Sequence, residues 1–256
     1  MSSFEDEATK LLPQVYKDVA QPSAKEVGVI LGRSVKALLS PVRGLLWGWE
    51  KIEEVIVDGV SKRLEMIPVK NRKTPNPEIA VPLIQAFTYT AQNETLRELY
   101  LNLLANAMDN SKEKDIHPSL VEIIKQMDSL DANLFKALSQ KVGYIKVINP
   151  NVAIIGEGKT FINATPEWFV GWTISNYYIF QVSASLIRLG RLGIVELMFD
   201  RTAGKDGYEE LRNSSILLEI IQKYQLANPS LKLEIVGTES ICYVNEYGKQ
   251  FARCCL

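Results

Sequence analysis

Residues 184–197 read ASLIRLGRLGIVEL, and this stretch decides how the second half of the chain folds. Apolar residues at helical spacing lead to a glycine-punctuated turn, and the turn leads to a short apolar run. Further along, residues 233–236 and 241–244 predict two strands, and YVNEYGKQFARCC at 243–255 predicts a turn and a short helix. The order helix, turn, strand, long loop, strand pair and helix is typical of a winged-helix module.

The segments around this module complete the C-terminal part. Residues 144–148 predict a strand, and residues 181–189 predict the helix that precedes the turn. Residues 201–230 would form an enlarged wing that carries its own helix at 211–226.

A helical block precedes these strands. Asn76 or Pro77 opens one helix, and Asn93 caps the next. Pro118 and Ser129 begin two more, since proline is tolerated at the first helical position and serine is a good cap. The leucines predicted to face inward are Leu96, Leu99, Leu103 and Leu104.

Residues 24–66 predict one long amphipathic helix with a bend at Pro41. At about 1.5 Å per residue it would span roughly 65 Å, which is too long for the core helix of a compact domain. Its apolar side, which includes Ile56, Val60 and Leu64, would therefore pack against partner copies or lie in a membrane interface. Both alternatives remain open.

Different residues of this helix would act in each alternative: the glycine pairs in packing against partner copies, and the basic residues and tryptophans in a membrane. Glycines four residues apart let helix backbones approach closely, so we expect a homo-oligomer. In a membrane, the basic residues would line a polar path and the tryptophans would lie near the headgroups. The residues assigned to oligomerisation or to the membrane are Gly28, Gly32, Arg33, Lys36, Arg43, Gly44, Trp47, Gly48 and Trp49.

The predicted fold is mainly α, with long N-terminal amphipathic helices, a central helical bundle and a C-terminal winged-helix-like α/β part. The predicted domains are residues 1–67 for oligomerisation or membrane contact and 75–140 for the bundle. Residues 141–256 form the winged-helix-like domain with its enlarged wing.

The composition limits the classes of function. The 256 residues include 29 basic and 30 acidic ones, a formal net charge of −1, so no global field attracts nucleic acid or an anionic membrane. The three cysteines form no disulfide framework and fit a reducing cytoplasm. No run reaches the roughly 18 apolar residues of a plain transmembrane helix. We expect a cytoplasmic protein, or one at the inner membrane when assembled.

No motif indicates catalysis, a metal or a cofactor, and the protein is predicted not to be an enzyme. His117 lacks a nucleophile in a familiar arrangement, which favours a structural bond at a helix start. GEGK at 156–159 lacks the leading glycine of a phosphate loop and is interpreted as a turn. Four acidic residues lack the spacing of a known metal motif and are interpreted as parts of solvated helix faces: Glu94, Glu98, Asp109 and Glu122.

The stretch PEWFVGWTISNYYIF at 166–180 either packs in the core or stacks on nucleic-acid bases. Basic residues flank the winged-helix elements and either contact phosphates or form a solvated face. Together these side chains predict a nucleotide or a short single-stranded DNA oligomer as ligand. The residues assigned to it are Trp168, Trp172, Tyr177, Tyr178, Arg188, Arg191, Lys249 and Arg253.

Several segments resemble the bacterial abortive-infection alpha (Abi-alpha) family. Between Pro75 and Leu138 these are PNPEIAVPLIQAF, ETLRELYLNLLANAMD and HPSLVEIIKQMDSLDANLFKAL. The stretches 184–197 and 243–255 also resemble that family, so the resemblance covers about two thirds of the chain. It implies a role in antiphage defence, in which an effector stops growth or kills the infected cell. It implies no catalytic residue.

The resemblance also implies partners. In Hailong-type defence systems, a membrane-acting effector is controlled by short DNA oligomers and by a nucleotidyltransferase encoded alongside it. This chain would be the effector subunit: an oligomer that binds its ligand through the C-terminal half and permeabilises a membrane in a channel-like manner. The alternatives are a winged-helix nucleic-acid-binding regulator and a hydrolase with an unidentified site.

Overall fold

The structure is a computed structural model that describes residues 49–156, 161–162, 164–174, 177–204 and 206–256, with only the backbone of residues 49–53 and 161. Contacts within it divide the chain into two compact units. Among the described residues, unit 1 consists of those up to Ser129 together with Gln250–Leu256, and unit 2 of Leu130–Lys249. The division at residues 67, 75 and 140 stays a prediction. The described part is mostly helical with one small antiparallel sheet, as predicted in outline.

The regular elements of unit 1 in its described residues are helices, with short 3-10 turns at Val69–Asn71 and Asn110–Asp115. Its α-helices are α1 (Trp49–Leu64), α2 (Pro77–Thr90), α3 (Glu94–Ala107) and α4 (Ser119–Lys125).

Two of the predicted helix starts in unit 1 are confirmed by their capping contacts. The Asn76 side-chain oxygen accepts a hydrogen bond from the Glu78 N–H at 3.0 Å, and that of Asn93 accepts one from the Leu96 N–H at 3.2 Å. Each contact satisfies a donor that the first turn of a helix leaves open. The four leucines of α3 that were predicted to face inward are all buried.

Helix α1 is the last part of the predicted long helix, and it serves the protein's own core. Ile56, Val60 and Leu64 are buried at 1, 0 and 0 % exposure. A Cβ added to Gly59 would lie 2.5 Å from Leu101 Cδ1, so the glycine lets α1 approach α3 closely. The expectation that this helix is mismatched to a compact core is therefore wrong for α1. The part of the predicted helix before residue 49 lies outside the described residues.

Unit 2 combines helices with the antiparallel sheet, whose strand order is β2-β1-β4-β3. Its elements are α5 (Ser129–Ser139), β1 (Ile145–Ile154), β2 (Phe161–Ile162), α6 (Ile179–Arg191), β3 (Val195–Met198), α7 (Tyr208–Arg212), α8 (Ser215–Ala227), β4 (Leu233–Val244) and the start of α9 (Glu246–Cys255). The helices predicted at 181–189 and 211–226 correspond to α6 and to α7 with α8. The winged-helix assignment of this arrangement stays a prediction.

The two strands predicted at 233–236 and 241–244 are one continuous strand, β4, so this prediction is wrong. Its middle residue Gly237 pairs with Pro150 of β1. A Cβ on Gly237 would lie 2.7 Å from the Asn149 carbonyl oxygen and 3.1 Å from Pro150 Cα. The glycine thus marks a close approach of two backbones rather than a turn. Strand β1 pairs with β4 along its whole length and extends to Ile154, beyond the predicted 144–148.

The described residues contain no helix long and apolar enough to cross a membrane.

Candidate functional site

Helix α6 presents two faces of different character. Its inward face is buried and consists of Val182, Ser183, Ser185, Leu186 and Leu189. The outward residues, which we call the α6 face, are Phe180, Gln181, Ala184, Ile187 and Arg191. Phe180 is 52 % exposed and Ile187 is 37 % exposed, so large apolar side chains meet solvent beside a cation.

The start of α6 adds an exposed aromatic ring. Tyr178 precedes the helix and is 80 % exposed. Its N–H donates to the Gln181 side-chain oxygen at 2.9 Å, which secures the first turn. At about 1.5 Å per residue, Tyr178 and Arg191 lie roughly 20 Å apart along the helix. The exposed Tyr178 ring at the start of α6 and the basic end of the α6 face are therefore separate contact points.

A buried carboxylate holds Arg188 near the basic end. Asp131 of α5 is 1 % exposed, and the Arg188 Nε donates to both of its oxygens at 3.0 Å. The Arg188 Nη2 donates to Oδ1 at 2.7 Å, and the Ser185 hydroxyl donates to the same oxygen at 2.6 Å. This fork geometry fixes the guanidinium plane. Arg188, a residue of α6, is therefore held in an ion pair within unit 2.

The predicted aromatic residues divide into core and surface. Trp168 and Phe169 are buried, at 2 and 3 % exposure, and Trp168 packs edge-on against Phe199 at 4.6 Å between ring centroids. Trp172 is half-buried, with the Lys141 ammonium 5.7 Å from its ring centroid. Tyr177 is half-buried, so Tyr178 is the ring of this group most exposed to solvent.

Two of the predicted basic residues belong to α9 rather than to α6. Lys249 of α9 forms an ion pair with Glu246 in the same helix at 2.6 Å. Arg253 belongs to unit 1 and forms an ion pair with Asp115 at 3.2 Å. The ligand-binding role of the whole predicted set stays a prediction. The oligomer and membrane residues up to Gly48 lie outside the described residues, and Trp49 is described only by its backbone at the start of α1.

The residues weighed for catalysis have structural contacts. The His117 Nδ1 accepts a hydrogen bond from the Ser119 N–H at 3.2 Å and lies 2.7 Å from its hydroxyl, at the start of α4. In the described part of the chain, no group of three histidine, cysteine or acidic residues could hold a metal ion. Gly156 adopts the positive φ of a turn, and the rest of GEGK lies outside the described residues.

The cysteines are buried thiols with raised pKa values. Burial raises the pKa of Cys242 to about 12 and that of Cys254 to about 11, and it raises the pKa of Cys255 as well. These raised pKa values favour the protonated thiol, which is a weaker nucleophile than the thiolate.

Sequence reasoning missed Asp131, Phe180 and Ile187. The helical period of α6 places 180, 184, 187 and 191 on one side, and this signal would have identified the exposed face. Asp131 stands between the apolar residues Leu130 and Ala132. A lone carboxylate in such a setting indicates a buried partner, but its partner lies 57 residues away.

These observations define an α-and-β protein of two compact units, with an aromatic and basic helix face in the second unit. The chain belongs to the abortive infection alpha family, whose model matches residues 48–255. Membership assigns it a role in abortive infection, a form of antiviral defence. No curated protein and no solved structure matches the chain.

Proposed function

We propose that the protein is a non-enzymatic effector of abortive infection that is controlled by a nucleotide or a short single-stranded DNA oligomer bound at the α6 face. The observation that carries the proposal is the combination of exposed Tyr178 at the start of α6 with exposed Phe180 and Arg191 on the helix itself. Aromatic rings stack on bases, and arginine binds phosphate.

The spacing of these groups favours an oligomer over a single nucleotide. The aromatic and basic ends lie roughly 20 Å apart by helix geometry, a distance that one base and its phosphate do not bridge. Arg188 lies one turn before Arg191 and is held by Asp131, so its orientation is set before a ligand arrives. A preorganised side chain loses less conformational freedom on binding.

The proposed output is membrane permeabilisation by a homo-oligomer. Because the apolar side of α1 is already buried in unit 1, we assign the oligomer and membrane contacts to residues 24–48 of the predicted helix. Charged residues in a membrane are tolerated when they face a bundle interior or water. Several copies would turn Arg33, Lys36 and Arg43 inward and their apolar sides to lipid.

Calorimetry with mononucleotides and with short single strands of increasing length tests the ligand. We expect heat and a thermal shift for the strands, weakening as salt rises because phosphate contacts release counterions. Phe180→Ala and Arg191→Ala should each weaken binding, whereas Lys223→Ala on the exposed surface of α8 should leave it unchanged. Absence of heat and of a thermal shift with every strand would refute ligand control.

A potential-sensitive dye tests the output in cells that express the protein without an inhibitor. We expect depolarisation before growth stops, and its loss in Val42→Asp or Leu46→Asp, which place a charge on the predicted apolar side. The variants should retain the thermal transition of the parent protein. Growth arrest with an unchanged dye signal would exclude the membrane mechanism.

A second candidate function is a winged-helix nucleic-acid-binding regulator. What favours it is that α6, with its exposed face, directly precedes β3, which pairs with β4. In such modules the helix before the strand pair enters the major groove. Retention of duplex DNA by the protein, abolished by Arg191→Ala and accompanied by no depolarisation, would support this candidate over the first.

A further inference from the structure

The two edges of strand β4 are covered to different extents. On one edge β1 pairs with β4 from Leu233 to Cys242. On the other edge β3 pairs only with Ile241–Val244. The segment Leu233–Glu239, which we call the open edge, therefore has a strand neighbour on one side only.

The alternation of hydrogen bonds identifies the groups that point outward. The Ile155 N–H donates to the Lys232 carbonyl at 2.8 Å, so even-numbered residues of this segment exchange hydrogen bonds with β1. The bonds between Ile148 and Phe169 support this assignment, because they direct an even-numbered residue of β1 away from β4. The backbone N–H and C=O groups that point to the open edge are those of Leu233, Ile235, Gly237 and Glu239.

Burial along β4 agrees with this assignment. Ser240, Ile241 and Cys242, at the point where β3 begins to pair, are at most 2 % exposed. Every residue of the open edge is half-buried or exposed. Within the described part of the chain, no backbone hydrogen bond from another segment reaches the outward groups. Such a row of donors and acceptors is a template for a further strand.

We propose that the open edge is a dimer interface, occupied by the open edge of a second copy in antiparallel orientation. Centred on Val236, this pairing sets Leu233 opposite Glu239 of the other copy and Ile235 opposite Gly237. All four outward residues of each strand then exchange their hydrogen bonds with the same four of its copy. The edge is complementary to itself, which is the requirement for a two-fold symmetric interface.

The side chains fit the same register. Val236 meets Val236 of the second copy at the two-fold axis, where residues of a non-hydrogen-bonded pair lie closest. Glu234 stands opposite Thr238, and no acidic residue stands opposite another, so the pairing carries no like-charge repulsion. The segment combines β-branched Ile235, Val236 and Thr238, which favour strands. A basic peptide is the other occupant that the experiment distinguishes.

Disulfide trapping tests the register. In Val236→Cys, the two introduced thiols would lie about 4.5 Å apart by Cα, within the range of a disulfide, so a mild oxidant should give a covalent dimer. Glu234→Cys is the matched control, because in this register it lies about 14 Å along the strand from its own equivalent and should stay uncrosslinked. The native cysteines are buried and leave a low background.

Proline substitution provides a second measurement on the full chain. Leu233→Pro removes an N–H that only the second copy uses, so light scattering should show fewer copies per particle. Its melting temperature should fall only by the stabilisation that the second copy supplies, and so less at low protein concentration. Glu234→Pro removes an N–H that β1 uses and should lower the melting temperature. Equal crosslinking at 234 and 236, no crosslinking at 236, or an unchanged particle mass in Leu233→Pro would overturn the proposal. Binding of a basic peptide to the open edge, in a protein that shows no crosslinking at 236, would also overturn it. Failure here leaves the binding test at α6 unaffected, since the two surfaces share no residue.

Discussion

Unit 1 and unit 2 bury polar side chains to very different degrees. In the described part of the chain, the buried polar or charged residues of unit 2 are Asp131, Thr165, Ser183, Ser185 and Ser240, whereas unit 1 buries Asp109. The polar residues of unit 2 hold specific partners: the Thr165 hydroxyl donates to the Pro150 carbonyl at 2.5 Å, and the Ser183 hydroxyl accepts from the Trp168 N–H at 2.9 Å. Unit 1 relies on apolar helix faces, and unit 2 adds individual polar contacts that position its loops and α6.

Two helices show a second contrast between the units, in how many of their residues are buried. Helix α3 of unit 1 is 14 residues long and buries eight of them. Helix α8 of unit 2 is 13 residues long, reads SILLEIIQKYQLA, and buries Leu217. Apolar content alone therefore does not place a helix in a core, because the neighbouring elements must offer a surface to cover it. The following predictions test this contrast, from the largest expected effect to the smallest.

Removal of Arg188 should have the largest effect, because it affects the buried ion pair that distinguishes unit 2. Arg188→Met leaves the Asp131 carboxylate at 1 % exposure without its guanidinium, and we expect a loss of about 3–5 kcal/mol in the free energy of unfolding. Urea unfolding of the full chain measures it.

The matched control is the ion pair of Arg63 with Glu98 in unit 1, where the Glu98 side chain is 51 % exposed. Glu98→Gln should change the free energy of unfolding by about 1 kcal/mol or less, since exposed pairs contribute little. Similar losses in both variants would contradict the contrast between the two units.

Leucine truncation should separate α3 from α8. Leu104→Ala removes a side chain with 0 % exposure and should cost about 2–5 kcal/mol, from lost burial and the cavity that remains. Leu218→Ala, at 39 % exposure, should stay within about 0.5 kcal/mol. A large loss at Leu218 in the urea transition would mean that α8 is covered in solution, for example by a second copy.

The sequence predicted the elements whose signals are local. Asn93 and the leucine spacing of α3 determine that helix within 15 residues, and both are present in the structure. The continuity of β4 was missed because Gly237 is a turn signal locally, whereas its role depends on Pro150 of a distant strand. The packing of α1 into the core of unit 1 was missed for a related reason. An amphipathic pattern shows that the apolar side of a helix is covered, but it does not show which element covers it.

The candidate site was predictable only in part for the same reason. Composition indicated aromatic and basic residues near α6, but it did not separate the buried Trp168 from the exposed Tyr178, which are ten positions apart. The partner of Arg188 depends on α5 packing against α6, a tertiary contact without a local signature.

Loss of the α3 cap should have a smaller effect than either core substitution. The Asn93 side chain accepts from the Leu96 N–H and donates to the Ser129 hydroxyl at 2.7 Å. Asn93→Ala removes both bonds, and we expect a loss of about 1 kcal/mol. Asn93→Asp keeps the acceptor and should recover part of the loss, which a thermal melt of the three proteins would show. An unchanged melting temperature in Asn93→Ala would mean that water replaces the cap at no cost.

The smallest effect is expected at Ser214, the corresponding cap position of α8. Its residue type predicts a cap, yet its side chain makes no capping hydrogen bond, and its hydroxyl is buried without a partner among the described residues. A buried hydroxyl without a partner carries a desolvation cost that alanine does not, so Ser214→Ala should leave the free energy of unfolding unchanged or raise it by up to about 1 kcal/mol. Urea unfolding beside Asn93→Ala gives the comparison directly. A loss at Ser214 as large as that at Asn93 would show that both helices depend on their caps equally. A lower free energy of unfolding in Asn93→Ala and a higher one in Ser214→Ala would mean that α3 depends on its own cap, while α8 is held by the rest of unit 2.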